Sequence, residues 1–255
     1  MTTPLTTDLA RALSPVAFCE SIGFTPDAWQ QQVLESQHPR ILLNAARQTG
    51  KSWVCAAKAV HKAAYVPGSL TLVVAPSLRQ SQELFLKIRT IARSMDGGPP
   101  PSEGDSASMW TLSNGSRVAC LPGSEQTIRA FSAVDLLLLD EAARVEDATI
   151  AATRPFLAVS GGQMIALSTP AGVRGWWYEA WSSGGNDYER IEVKARDCPR
   201  ITEDFLRAEL AALGPHMFAA EYACSFVSGA FALFNEADLK AMFTTDFAPL
   251  FPNGV

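Results

Sequence analysis

The sequence predicts an α/β fold in which a mostly parallel sheet is flanked by helices on both faces. Three observations carry that prediction. Short, continuous apolar runs recur along the chain (RILLNA, LTLVVA, LLLLDE, MIALST), the pattern of strands buried on both sides. Longer segments with apolar residues at helical spacing alternate with them. Hydrophobic residues make up 47% and charged residues 18% of the 255, which supplies a sizeable core at ordinary globular charge.

Taken in order, a helical lead-in from Asp8 to Ile22 precedes Thr25-Pro26, which opens a helix over DAWQQQVLESQ. The first strand runs from Arg40 to Ala45, followed by a Gly-containing loop and an Ala-rich helix from Ser52 to about Ala64. Pro67-Gly68 turns the chain into the strand Leu70 to Ala75. The next helix, SLRQSQELFLKIRTIARSM, sets Leu78, Leu84, Ile88 and Ile91 on one face. Breaker-rich residues from Gly97 to Ser106 form a loop, and MWTLSNGSRVACL alternates around Asn114-Gly115, a hairpin signature. Leu136 to Glu141 and Met164 to Thr169 are buried strands separated by a mostly helical stretch, and YERIEVKA is a further strand. Helices over Thr202 to Leu213 and Pro215 to Ala223 close one compact domain, residues 1–228, leaving 229–255 as a linker.

Composition narrows the function classes. The five cysteines are scattered, odd in number and lack a CxxC pair, which argues for reduced thiols in a cytosol over a disulfide framework or zinc site. The N-terminus has no basic region ahead of an apolar one and does not read as a signal peptide, and no apolar run is long enough to span a membrane. The net charge of −5 means that any grip on nucleic acid needs a local basic patch or several subunits around the duplex. Arg79, Lys87, Arg89 and Arg93 on one helix are candidates for such a patch; a solvated helix face is the competing reading.

Chemistry enters at AARQTGKS, Ala45 to Ser52, which fits the phosphate-binding P-loop pattern except that Ala45 replaces its first glycine. Backbone N–H groups of Ala45, Ala46, Arg47, Gln48, Thr49 and Gly50 must close around phosphate oxygens, which favours small residues and a glycine at the turn. Lys51 would reach the terminal phosphates of ATP, and Ser52 would ligate Mg²⁺. The loop follows a predicted strand and opens a predicted helix, as the motif requires. LLLLDE then places Asp140 at the carboxyl end of a buried strand, where it can hold Mg²⁺, with Glu141 next to it to orient and deprotonate water. The alternative role for this pair is a plain helix cap. Together these features specify a P-loop NTPase of the ASCE type.

The order P-x-x-W-Q (Pro26 to Gln30), AARQTGKS, VVAPS, TIRAFSAVDLLLLDEAA and ALSTPAG resembles the large terminase subunit of tailed bacteriophages. That resemblance implies an ATPase that drives double-stranded viral DNA into a procapsid in the host cell cytoplasm. It acts as one subunit of a homo-oligomeric ring on the capsid portal protein, with the small terminase subunit as a further partner and no membrane. A small lid subdomain would come from the N-terminal region and the segment after about 195. The isolated domain is expected to be a monomer with weak turnover. The family's nuclease half would follow Val255, so no DNA cleavage is expected of these residues.

Position by position, the resemblance makes Gln30 the adenine reader, although Gln31 and Gln32 alongside leave the register open. It makes Arg47 a cis charge neutraliser, against a solvated loop arginine. Arg129 would reach a neighbouring subunit's ATP, against a salt bridge with Asp135. Ser168 and Thr169, with Pro170, would sense the γ-phosphate, against a helix cap before VRGWWYEAW. Trp176, Trp177 and Trp181 could stack on bases, but Trp177 and Trp181 at i, i+4 read as packing one helix face onto the sheet, and His38, His61 and His216 show no metal spacing. A helicase-like remodeller shares these motifs but usually carries two motor lobes. A non-hydrolysing assembly scaffold would not need Glu141.

Overall fold

The structure, a computed structural model, describes residues 5–95, 106–123, 128 and 131–227. The linker expected over 229–255 and the arginine expected to act in trans, Arg129, lie outside those residues.

Seven strands form one sheet: β1 (Arg40–Ala45), β2 (Leu70–Ala75), β3 (Met109–Thr111), β4 (Arg117–Pro122), β5 (Leu136–Asp140), β6 (Gln163–Ser168) and β7 (Glu189–Val193). Their order across the sheet is β3-β4-β2-β5-β6-β1-β7, and every pairing is parallel except the edge hairpin β3–β4. That hairpin pairs Thr111 with Arg117 around Asn114-Gly115, with Gly115 at φ +84, which is why glycine stands at the turn. β6 lies between β1 and β5, so the phosphate-loop strand and the acidic strand are not neighbours.

Eight helices accompany the sheet among the described residues: α1 (Leu5–Leu13), α2 (Pro15–Ser21), α3 (Ala28–Glu35), α4 (Lys51–Tyr65), α5 (Leu78–Arg93), α6 (Asp147–Ser160), α7 (Gly175–Ser183) and α8 (Glu203–Tyr222). The lead-in expected as one helix is two, because Ser14 accepts from the Ala17 N–H and Pro15 starts a new first turn. The two C-terminal helices are continuous apart from a kink where Gly214 takes φ +73.

The continuous apolar strands are explained by alternation between two layers. Ile41, Leu43, Leu136, Leu138, Ile165 and Leu167 face one cluster, packed under α2–α5. Leu42, Leu137, Leu139, Met164 and Ala166 face the other, against α7 and the residues around Val145 and Ile150. Neither face of the central strands meets water, so apolar residues dominate the runs, with Thr71 and Asn44 as buried polar exceptions. Trp177 is buried in the second cluster with Trp176 and Trp181 against it, the packing role expected of Trp177 and Trp181. Among the described residues no helix is long and apolar enough to cross a membrane.

Candidate active site

The site is built where β1, β5 and β6 end. β1 delivers Ala45, and the chain loops through residues 46–50 before α4 begins at Lys51. Gln48 at φ +60 and Gly50 at φ +97 bend the loop through left-handed backbone. Only Gly50 adopts that conformation without steric cost, so the loop is a strained turn held by its surroundings. The holding contacts are specific. The Ala46 N–H donates to Val193 O at 2.9 Å, the Arg47 N–H to Glu221 O at 3.0 Å, and the Thr49 hydroxyl to Ala46 O at 2.9 Å.

The backbone N–H groups of Gln48, Thr49, Gly50, Lys51 and Ser52, in contrast, find no acceptor among the described residues. Successive donors without acceptors, at the positive end of the fifteen-residue helix α4, constitute an anion site. The residues therefore fit a phosphate chain.

Asp140 ends β5 almost fully buried. Burial pushes its carboxyl up to about 6, and the Glu141 charge adds to that, while Lys51 pulls it down. A buried carboxylate and the hydroxyl of Ser52, in the first turn of α4, offer the hard oxygen ligands that suit Mg²⁺. Among the described residues no cluster of three His, Cys, Asp or Glu could hold a metal. Few protein ligands are what Mg²⁺ needs when it retains water and phosphate oxygens.

Glu141 follows in left-handed backbone, φ +49 and ψ +42, an unusual conformation for a non-glycine residue. The turn throws its carboxylate toward the P-loop: Oε1 lies 3.9 Å from Lys51 Nζ, and Oε2 accepts from Arg144 Nη1 at 2.6 Å. The Ser168 hydroxyl, at the tip of β6, accepts from the Ala143 N–H at 3.2 Å and donates to Thr169 O at 2.7 Å. It ties the tip of β6 to the turn that carries Glu141. Ser168 and Thr169 are both buried.

Two expected site residues stand in unanticipated surroundings. Gln30, one of three successive glutamines on α3, is 1% exposed, and its Oε1 accepts from the Asp27 N–H at 2.9 Å. Its Nε2 lies 3.0 Å from where a Cβ on Gly50 would stand, so it packs on the P-loop itself. Arg47 points its guanidinium at α8, with Nε 2.6 Å and Nη2 3.3 Å from the two Glu221 carboxylate oxygens, which raises its pKa. Asp135, considered as a partner for Arg129, accepts from the Leu70 N–H at 2.8 Å.

Sequence reasoning missed Arg144, Arg200 and Glu221. Arg144 had a signal, its i,i+3 spacing from Glu141. Arg200 and Glu221 stand some 150 residues or more from their partners Asp27, Thr49 and Arg47, and no local pattern announces them. On α5, Arg79, Arg89 and Arg93 line one surface depression with Phe85 and Leu86. Lys87 turns elsewhere, close enough to Asp140 to lower its pKa.

Residues 42–241 match the family "Terminase large subunit, T4likevirus-type, N-terminal". The chain belongs to this family. The terminase large subunit of Thermus phage G20c is 26% identical over 258 residues, covering 87% of this chain and 53% of that protein. The chain thus spans about half the length of the curated terminases it matches. The large terminase ATPase domain of Thermus phage P74-26 superposes with a TM-score of 0.72 at 22% identity, covering 82% of this chain and 97% of that one. The large terminase from a thermophilic bacteriophage, in complex with ADP, gives a TM-score of 0.68 at 11% identity, covering 79% of this chain and 54% of that one. The terminase fold is a P-loop NTPase, and the sheet described above is of that kind.

Proposed function

We propose that this chain hydrolyses ATP and uses the energy to drive double-stranded viral DNA into a procapsid. The observation that carries this reading is the approach of Glu141 to 3.9 Å from Lys51 beside a loop of unspent N–H donors. The Ala46 and Arg47 N–H groups expected at the phosphates are bonded to Val193 O and Glu221 O, so in this reading Lys51 and the N–H groups of Gln48 to Ser52 hold the phosphates. Ser52 and Asp140 hold Mg²⁺, which when bound neutralises charge on the β- and γ-oxygens. Glu141 orients water for attack on the γ-phosphorus and takes its proton, with Lys51 and Arg144 flanking the carboxylate. Arg47 leaves Glu221 for the phosphates, Gln30 meets the adenine, and Ser168 and Thr169 relay loss of the γ-phosphate to the Glu141 turn.

The reading extends to assembly. Arg129 of one subunit serves the ATP of the next in a ring seated on the portal protein, with the small terminase subunit as a further partner, in the host cytoplasm. α8 and the residues before it act as the lid that moves between nucleotide states. The terminase family and the ADP-bound phage terminase support a nucleotide motor over a passive scaffold.

The test is steady-state ATPase of the wild type and Glu141→Gln. Loss of a catalytic base costs ~10²–10⁴-fold, and equal rates would refute the mechanism. For the trans arginine, Arg129→Ala is mixed with Lys51→Ala subunits; partial recovery of activity is expected, and none at any ratio counts against it.

A further inference from the structure

Arg200 lies between β7 and α8, outside every motif of the sequence, yet it touches two parts of the nucleotide site. Its Nη1 and Nη2 donate to the two oxygens of Asp27 at 3.1 and 2.7 Å, a bidentate pair. The same Nη2 donates to the Thr49 carbonyl, inside the P-loop, at 3.0 Å. Asp27 is also the residue whose N–H donates to Gln30, so one guanidinium joins the start of α3, the P-loop and the segment leading to α8.

The contact with Thr49 O has a geometric consequence. In a trans peptide the C=O and the following N–H point in opposite directions. Fixing the Thr49 carbonyl toward Arg200 therefore aims the Gly50 N–H the other way, and that N–H is one of those without an acceptor among the described residues. A peptide followed by glycine flips at little steric cost, because Gly50 tolerates either sign of φ. Left alone, this peptide would sample orientations that turn its donor away from phosphate. Arg's planar fork, charged at any working pH, can hold Asp27 and the carbonyl at once.

We propose that Arg200 is a positioning residue for nucleotide binding: it locks the Thr49–Gly50 peptide so that the Gly50 N–H faces the phosphates, with Asp27 fixing the guanidinium in turn. The proposal rests on the nucleotide-site reading above. Arg200 makes no contribution to attack on the γ-phosphorus, so its removal changes binding far more than turnover.

The experiment titrates ADP with Mg²⁺ into the whole chain by calorimetry and measures ATP KM and kcat, for wild type, Arg200→Ala, Arg200→Lys and Asp27→Asn. Thermal melts check that each variant is folded. Arg200 is half exposed, so the alanine variant is expected to melt near the wild type. The expected result is roughly tenfold weaker ADP binding and a matching rise in KM for Arg200→Ala, with kcat within about twofold. Lysine, a point charge without the fork, should rescue little, and Asp27→Asn should show part of the loss. Combining Asp27→Asn with Arg200→Ala should add nothing further, because both act through one contact. Wild-type ADP affinity in Arg200→Ala, full rescue by lysine, or a fall in kcat at constant KM would overturn the proposal. A wild type that binds no ADP would remove the nucleotide reading itself, a different result from a wild type that binds and an Arg200 variant that binds equally well.

Discussion

β5 and α8 approach the same site from opposite sides and are held in place by different physics. All five residues of β5 are buried, flanked by two parallel neighbours and covered by both helical layers. α8 runs for twenty residues with one of them, Tyr222, buried. Its apolar cluster is small, joining Ala46, Ala195, Tyr222 and Cys224 with a few partly buried side chains such as Phe205 and Phe218. The remaining ties are polar: Arg47 bonds Glu221 through its guanidinium and its backbone N–H, and just past the helix Asn44 Nδ2 donates to Cys224 O at 3.1 Å. Dense and sparse packing are thereby assigned to separate parts of the domain. The acidic strand and the phosphate-loop strand are held by burial on both faces, whereas α8 is held by one small apolar cluster and polar contacts.

The contrast shows most plainly if the frame is cut. Leu138→Ala removes a fully buried side chain from the middle of β5 and should cost about 2–5 kcal/mol, the range for buried leucines. Urea unfolding should show the whole domain losing stability cooperatively, and a loss confined to one spectroscopic probe would contradict a single frame.

The next effect comes from a cost built into that frame. The Asp140 carboxyl is pushed up to about 6, above its ordinary value of 3.8, so the folded state binds a proton more tightly than the unfolded one between those values. Stability from this group is present below pH 3.8 and lost as pH rises through about 6, where a buried charge remains. Asp140→Asn keeps the acceptor for the Glu141 N–H and should raise nucleotide-free stability by on the order of 3 kcal/mol at pH 8, with no gain near pH 4. Identical melting curves at pH 8 would deny the cost.

The smallest effect belongs to α8. Tyr222 stacks on Phe218 at 5.3 Å, meets Phe205 edge-on at 5.9 Å and donates to Glu209 at 2.8 Å across the Gly214 kink. Tyr222→Phe, which removes only the Glu209 bond, should cost about 1 kcal/mol and act locally. Hydrogen exchange should speed up in α8 while β1 and β5 stay protected; equal acceleration in the strands would merge the two regions into one.

Legibility in the sequence follows the same division. Strands buried on both faces announce themselves as apolar runs, so LLLLDE and RILLNA locate β5 and β1 without any knowledge of contacts. The P-loop and the acidic pair are short contiguous patterns whose chemistry dictates residue type. What could not be read is how side chains finish the site across sequence distance. Gln30 reads as one of three glutamines on a helix, and its burial against Gly50 depends on where α3 docks. The pairs Arg47–Glu221 and Arg200–Asp27 join residues whose separation carries no periodicity. The restart at Pro15 was legible in principle, since Ser14-Pro15 is a capping pair, but an apolar run that continues through it hides the break.

The placement of β6 between β1 and β5 has a further effect on the width of the mouth of the candidate site. Adjacent strands stand about 4.8 Å apart, so the backbones that carry Lys51 and Glu141 begin roughly 10 Å from one another. Side chains reaching inward from that span can close around a phosphoryl group, a cation and an attacking water. Direct neighbours would leave a slot too narrow for all three. The intervening strand is thus a spacer, and Ser168 at its tip sits in the floor of the gap that it opens.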